Sequence, residues 1–132
     1  MHPAQQKTLM RDFLIALDRA DSDALAGLTS DGFTFETIST ASGESAPLAR
    51  EQFLDIIPRV LPTMFPGGFG YEFETAITEG NMGSMQGTAK TVTAQGRPYL
   101  NRYHWFFAFD NEKVSMFREY LDSYAVYEAF RP

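Results

Sequence analysis

Residues 96–122 read GRPYLNRYHWFFAFDNEKVSMFREYLD and predict two long antiparallel strands, at about 98–109 and 113–121. Between them, Asn111 and Glu112 stand where a two-residue turn is expected, because Asn tolerates the positive φ that such turns need. Both strands are rich in aromatic and apolar residues, so we expect both to lie in a buried sheet. The rest of the chain must then fold over this strand pair.

The turn sets the register of the strand pair. If the loop consists of these two residues, Asp110 lies opposite Lys113, and His104 lies directly opposite Glu119. An imidazole and a carboxylate in contact can orient each other and move a proton, which is general acid–base chemistry. The alternative interpretation is a structural ion pair or a surface pair. A one-residue bulge would break the pairing altogether.

The same register divides the strand pair into two faces. One face carries Leu100, Arg102, His104, Phe106, Ala108, Ser115, Phe117, Glu119 and Leu121. The opposite face carries Tyr103, Trp105 and Phe107. Both faces are largely apolar, so we expect the helices to cover one of them and a second subunit to cover the other. Tyr99, Tyr103 and Tyr120 are possible hydrogen-bond donors, although tyrosines in strands usually pack.

Outside this strand pair, the chain changes from a helical period to a strand period. Apolar residues at three- and four-residue spacing predict helices in the first half, and alternation predicts strands later. The expected elements are helices at 4–20, 21–28 and 49–60, a strand at 33–39, strands at 71–79 and 82–93, and a final helix at 123–130. Pro58 and Pro62 should bend or end the third helix. Helices followed by a strand meander indicate one α+β domain over residues 1–132.

Three acidic residues outside the strand pair have expected positions. Asp122 directly precedes the final helix, and Asp is a favoured capping residue, so we expect it to cap that helix. Glu36 and Glu44 lie around the first strand and the loop predicted at 40–50, where a pocket mouth is expected.

Composition argues against several function classes. The 132 residues carry 17 acidic and 11 basic side chains, a net charge of −6, and the basic residues form no cluster suited to nucleic acid. No apolar run approaches the roughly 20 residues that cross a bilayer, and the N-terminus shows no signal pattern. Cysteine is absent and the histidines are His2 and His104, so neither a metal site nor a cofactor is expected. A cytoplasmic protein fits best.

The pattern GxPYxNxY…REYxD within residues 96–122 resembles the SnoaL-like proteins. These are relatives of ketosteroid isomerase and limonene-epoxide hydrolase in the nuclear-transport-factor-two-like (NTF2-like) superfamily. The resemblance implies a cone-shaped α+β barrel, in which a strongly curved, mostly antiparallel sheet wraps against two to three N-terminal helices and a short helix ends the chain. It also implies a deep apolar pocket and a homodimer formed through the outer sheet face, here Tyr103, Trp105 and Phe107.

For activity, the resemblance implies cofactor-free acid–base chemistry of the isomerase or cyclase type on a hydrophobic carbonyl or polyketide-like substrate. His104 and Glu119 match the catalytic His and acid of the family's polyketide cyclases, although the acid there is Asp. The residues expected to bind this hydrophobic small molecule are Phe35, Thr37, Arg102, Phe106, Phe117 and Leu121. The alternative is a non-catalytic module of the same fold for hydrophobic ligand binding or dimerisation.

Epoxide hydrolysis is disfavoured on the same resemblance. Epoxide hydrolases of this group use an Arg and an Asp on an earlier strand, and the corresponding positions here are Gly87 and Ala89. The Tyr and Asn that they take from the first strand correspond to Phe35 and Thr37.

Overall fold

The computed structural model describes residues 1–39 and 46–132. The described chain forms α1 (Pro3–Asp18), α2 (Ser22–Leu28), β1 (Thr29–Ile38), β2 (Leu48–Ala49), α3 (Arg50–Met64), β3 (Glu72–Glu79), β4 (Met82–Val92), β5 (Pro98–Asp110), β6 (Lys113–Leu121) and α4 (Ser123–Phe130). Every predicted helix and long strand is present, and the short strand β2 is additional. Glu44 and most of the loop predicted at 40–50 lie outside the described residues. Within the described ranges, none of the helices has the length and apolar character needed to cross a membrane.

The six strands form one open sheet in the order β2-β1-β6-β5-β4-β3. Neighbouring strands are antiparallel except β1 and β6, which run parallel. α1 and α3 contact one face of the sheet, and α4 packs against β5. We call the covered face, which carries Trp105, the inner face, and the opposite face, which carries His104, the outer face. A mostly antiparallel sheet wrapped against helices confirms the predicted α+β cone.

The core lies between α1 and the inner face and is centred on Phe13. The centroid of its ring is 4.7 Å from that of Phe117, 5.6 Å from that of Phe107 and 6.0 Å from that of Phe53. All four side chains are fully buried. These rings come from α1, α3, β5 and β6, so aromatic packing joins two helices to the hairpin formed by β5 and β6.

The cap predicted for the final helix is confirmed. Asp122 Oδ1 accepts a hydrogen bond from the Tyr124 N–H at 3.0 Å, and this contact begins α4 directly after β6. The cap fixes where the chain leaves the sheet and turns back over it.

The third helix continues through both prolines, so of the two predicted outcomes, a bend or an end, the end does not occur. Pro58 has no N–H to donate to the carbonyl of Leu54, four residues earlier. The Ser22 hydroxyl of α2 donates to that carbonyl instead, with an Oγ–O distance of 2.7 Å. α3 then runs past Pro62 to Met64. A hydrogen bond from another helix, which the local sequence does not reveal, replaces the missing one.

The tight turn between β5 and β6 is confirmed. Asn111 and Glu112 have φ values of 48° and 63°, and Asp110 pairs with Lys113 as predicted. Two consecutive residues with positive φ match the right-handed twist of the strands that they connect.

The register beyond this turn differs from the prediction because β6 carries a bulge at Ser115. An extra residue in one strand moves all later side chains of that strand to the opposite face. Trp105 therefore lies opposite Glu119, and His104 lies opposite Tyr120. Glu119 points to the inner face and His104 to the outer face, so the predicted His104–Glu119 pair does not form.

The face predicted to form a dimer contact is the buried inner face. Tyr103 is 4% exposed, and Trp105 and Phe107 are 0% exposed, because α1 and the residues after α3 pack over them. The prediction that these three residues pair with a second subunit is therefore wrong. A homodimer stays a prediction, without these residues in its interface.

Gly87 on β4 gives a first test of this packing. A Cβ at Gly87 would lie 2.5 Å from the Glu72 carbonyl oxygen and 2.7 Å from the Trp105 ring. We expect Gly87→Ala to lower the free energy of unfolding by about 1–3 kcal/mol, as overpacking commonly does. Urea denaturation measures the change.

Gly27→Ala is the matched control, since a Cβ at Gly27 on α2 meets no atom within 4 Å. The control should be neutral or slightly stabilising, because Ala has the higher helix propensity. Equal losses in both variants would contradict the close approach of β4 to Trp105.

Candidate active site

An apolar cavity of about 290 Å³ lies between the inner face of the sheet and the helices. α3 contributes a row of aliphatic side chains to its wall, and α4 contributes Val126 and Phe130. The polar residues of the wall, among those described, are Thr37, Ser39, Tyr99, Tyr103 and Glu119. A mostly apolar enclosure with a few polar groups on one side is typical of a small-molecule site.

Among the residues that the structure describes, Glu119 is the carboxylate of this cavity. It is 8% exposed, and its Oε2 accepts a hydrogen bond from the Thr37 hydroxyl at 3.0 Å. Thr37 reaches it because β1 and β6 run parallel with these two residues side by side. On the other side, the Trp105 indole N–H lies near enough to influence the carboxylate, but it forms no hydrogen bond of normal geometry with the described residues.

Burial raises the pKa of Glu119 from its usual 4.5 to about 7. The Thr37 hydroxyl and the Trp105 indole favour the charged form and lower this pKa, but the loss of solvation outweighs them. A carboxyl group with a pKa near neutrality holds both protonation states at accessible fractions, so it can take up a proton and return it.

A chain of three hydrogen-bonded side chains lies on β5 beside this carboxylate. Asn101 Nδ2 donates to the Tyr99 hydroxyl oxygen at 2.8 Å, and the Tyr99 and Tyr103 hydroxyls are 2.5 Å apart. All three side chains are buried on the inner face, because residues two apart in a strand share a face. Tyr99 and Tyr103 both line the cavity.

Burial keeps the tyrosines of this region in their neutral form. It raises the pKa of Tyr99 to about 12 and that of Tyr103 well above 10. Tyr71, whose ring meets those of Tyr103 and Trp105 edge-on, has a similarly raised pKa. Its hydroxyl is buried and has no hydrogen-bond partner among the described residues. These phenols can therefore donate hydrogen bonds over a wide pH range but are poor bases.

The structure places His104 away from the cavity. Its imidazole is exposed on the outer face and hydrogen-bonds the Ser84 hydroxyl of β4 through Nε2. The bulge at Ser115 separates it from Glu119, which lines the cavity on the other side of the sheet.

The residues predicted to bind substrate are divided by the same bulge. Phe35, Thr37 and Leu121 line the cavity. Phe117 is fully buried in the core next to Phe13. Arg102 and Phe106 lie on the outer face, where Phe106 borders a hollow with His104, Arg118 and Tyr120. The prediction places all six residues near Glu119 at the site. It is wrong for Arg102 and Phe106, which lie on the opposite face of the sheet.

Asn101 is a site residue that the sequence analysis does not identify. The sequence does contain an indication of its role: Asn101 lies midway between Tyr99 and Tyr103, and alternate residues of a strand point to the same face. The apolar walls from α3 and α4 are missed as well, because their position over the inner face depends on contacts distant in sequence.

Within the described ranges, no group of three His, Asp or Glu side chains is placed to hold a metal ion.

Comparisons with known proteins show what this arrangement is similar to. No protein-family model matches the sequence, and no curated protein matches it. Among solved structures, an NTF2-like protein of unknown function from Burkholderia pseudomallei matches with a TM-score of 0.82 and 15% identity, over 97% of this chain and 98% of that one. A protein from Jannaschia sp. CCS1 named as a SnoaL-like polyketide cyclase matches with a TM-score of 0.80 and 19% identity, over 98% and 94% of the two chains.

An LEH-like epoxide hydrolase from M. tuberculosis has a TM-score of 0.78 and 15% identity, over 96% of this chain and 90% of that one. At such identities a shared fold is established, while activity has to be argued from the site.

Proposed function

We propose that this chain, which has the NTF2-like cone fold, is an acid–base enzyme of the isomerase or cyclase type that acts on a neutral, hydrophobic carbonyl compound. The observation that carries the proposal is Glu119, a buried carboxyl group with a pKa of about 7 in the wall of an apolar cavity. Glu119 is the proton-transfer residue of this proposal.

The chemistry follows from the two protonation states of Glu119. The ionised carboxylate takes a proton from the carbon next to a carbonyl. The electron pair of that C–H bond forms a double bond to the carbonyl carbon, and the π electron pair of the carbonyl moves to its oxygen. In isomerisation, the protonated carboxyl group then returns the proton to another carbon. In ring closure, the carbon attacks a second carbonyl carbon of the same molecule, the π electron pair of that carbonyl moves to its oxygen, and the carboxyl group returns the proton to this oxygen. Both isomerisation and ring closure begin with this step, and the proton transfer needs no group beyond an acid–base residue and a hydrogen-bond donor.

The lining of the cavity supports a neutral substrate. None of the described residues that line it is Lys, Arg or His, so a bound anion would meet the Glu119 carboxylate without a compensating charge. The volume of about 290 Å³ lies near the lower end of small-ligand sites, which favours a compact molecule. The SnoaL-like polyketide cyclase named above shares the fold, and this is consistent with a carbonyl substrate.

Epoxide hydrolysis is the activity of another protein that shares the fold. Gly87 and Ala89 occupy the inner face of β4, so this chain places no acid or guanidinium there. We therefore keep epoxide hydrolysis as disfavoured, and a styrene oxide hydrolysis assay would test it directly.

The exchange of carbon-bound hydrogen for deuterium tests the proposal without knowledge of the natural substrate. We expect the unmodified chain to speed the loss of α-hydrogens from at least one compact cyclic ketone, such as 2-tetralone or 1-indanone, in D2O, followed by NMR. The rate should rise with pH through about 7 and then level off, because the ionised form of Glu119 is the base.

Glu119→Gln should lower this exchange rate by at least about 100-fold, since general acid–base catalysis contributes roughly 10²–10⁴. Glu74→Gln, an exposed carboxylate on β3, is the control and should leave the rate unchanged. Full activity in Glu119→Gln would overturn the proposal. Ketones that bind without any exchange would instead support the non-catalytic ligand-binding module.

A further inference from the structure

We propose that the Tyr99–Tyr103 hydroxyl pair, held in place by Asn101, is the binding site for the oxygen of the ligand. The ligand then carries a hydrogen-bond acceptor of the carbonyl type, turned towards β5. This inference rests on the proposed function for the reaction at the neighbouring carbon, but the oxygen site itself can be tested by binding alone.

A count of hydrogens carries the inference. Each phenol has one hydrogen, and the single hydrogen bond between the two hydroxyls uses one of the two. The other contact of the pair is donated by Asn101 to the Tyr99 oxygen, so it consumes neither phenolic hydrogen. Whichever tyrosine donates to the other, one hydrogen remains that no described residue accepts. Both residues line the cavity, so a ligand acceptor can take it.

The orientation of the Asn101 amide, on which this count depends, is fixed by its other contacts. Asn101 Oδ1 accepts from the backbone N–H groups of Arg102 and Asp122, at 2.8 and 3.0 Å. Nδ2 donates its second hydrogen to the Asp122 carbonyl at 3.1 Å. A flipped amide would set its NH2 group against two N–H donors, so Nδ2 must face Tyr99. Asn101 is therefore a positioning residue for the pair.

The oxygen site and Glu119 are placed for one small molecule to reach both. Tyr103 lies opposite Leu121 and Trp105 lies opposite Glu119, so Tyr103 and Glu119 are diagonal neighbours on the inner face. Diagonal neighbours in an antiparallel pair are about 7–8 Å apart. A ligand whose oxygen meets the tyrosine pair can thus present the adjacent carbon to the carboxylate. The raised pKa values of both tyrosines keep the hydroxyls protonated as donors.

The test compares two ligands of one shape, 2-tetralone and tetralin, which differ in the carbonyl oxygen. Calorimetric titration gives the Kd of each for the unmodified chain and for Tyr99→Phe/Tyr103→Phe. We expect the double variant to bind 2-tetralone about tenfold more weakly while tetralin binding changes by less than about twofold, because a buried carbonyl loses its partner. Each single variant keeps one hydroxyl and should lose less.

Two further variants separate the oxygen site from simple packing. The ring of Tyr71 packs against that of Tyr103, but Tyr71 is not among the residues that line the cavity. Tyr71→Phe removes its buried hydroxyl and should leave the ratio of the two Kd values unchanged. Asn101→Asp replaces the donor to Tyr99 by an acceptor, which draws the Tyr99 hydrogen away from the pair. It should weaken 2-tetralone binding selectively although both tyrosines remain.

The outcomes distinguish this site from the proposed function. A ratio of Kd values that is unchanged in the double variant, or an equal loss for both ligands, would overturn the oxygen site. Circular dichroism shows whether the double variant folds. If it does not, the ratios of Kd values measured for Tyr99→Phe, Tyr103→Phe and Asn101→Asp decide whether the oxygen site exists. Glu119→Gln should keep the ratio and lose only deuterium exchange, so a failure of catalysis leaves the oxygen site standing.

Discussion

Glu119→Gln is expected to stabilise the folded chain relative to the unmodified protein by about 3 kcal/mol more at pH 8 than at pH 4. The folded chain holds the Glu119 proton up to a pH of about 7, whereas the unfolded chain releases it near 4.5. The difference between these two pKa values corresponds to about 3 kcal/mol.

The sign follows from the direction of the pKa shift. Below pH 4.5 the carboxyl group is protonated in both states, so burial costs little. As the pH rises towards 7, the unfolded chain gains a solvated charge that the folded chain must keep neutral, and the free energy of unfolding falls. Gln is neutral at every pH, so the variant lacks this loss.

Urea denaturation at pH 4, 5, 6, 7 and 8 measures the effect as the difference between the two proteins at each pH. Other carboxyl groups titrate equally in both and cancel. Glu74→Gln changes an exposed position on β3, and its free energy of unfolding should differ from that of the unmodified chain by a constant amount over the whole pH range. A constant difference between Glu119→Gln and the unmodified chain from pH 4 to pH 8 would mean that Glu119 is not buried as described.

Phe117→Ala is expected to lower the free energy of unfolding by about 3–5 kcal/mol, the usual cost of removing a buried Phe. Phe117 is 0% exposed, and its ring lies 4.7 Å from that of Phe13 and 5.0 Å from that of Phe107, centroid to centroid. The cavity left behind opens in the centre of the core, where the neighbouring rings can relax only in part.

Phe106→Ala is the matched control, because Phe106 belongs to the partner strand but lies on the outer face and is partly exposed. Its cost should stay below about 1 kcal/mol. A regular hairpin without the bulge would place the two phenylalanines opposite each other with similar costs. Guanidinium denaturation of both variants therefore reports on the register of β5 and β6, and equal costs would argue for the regular pairing.

The elements could be predicted from sequence because their signals are local. The turn at Asn111 and Glu112, the cap at Asp122 and the extents of the long strands all follow from neighbouring residues. The register could not, because both faces of the strand pair are apolar and alternation fits either face. In β6, Val114 and Phe117 both lie on the inner face although they are three positions apart, because the bulge at Ser115 lies between them.

The site could also be predicted only in part, because local signals identify single residues but not their partners across the sheet. Glu119 is polar and lies in an apolar strand, which singles it out, and the resemblance to the SnoaL-like proteins and their relatives supplies Phe35 and Thr37. The partner assigned to Glu119 was wrong because pairing His104 with it required an unbroken ladder. The walls from α3 and α4 come from long-range packing, and the passage of α3 through Pro58 depends on Ser22 of another helix.

The bulge at Ser115 gives β6 one residue more than its pairing with β5 uses. Removal of Ser115 would therefore leave Glu119 opposite Trp105, and the carboxylate would stay on the inner face. Removal of Arg118, by contrast, would place Glu119 opposite Phe106 and turn the carboxylate to the outer face. In evolutionary terms, β6 can lose a residue at the bulge, while a loss in the regular part of the strand costs the site its carboxylate.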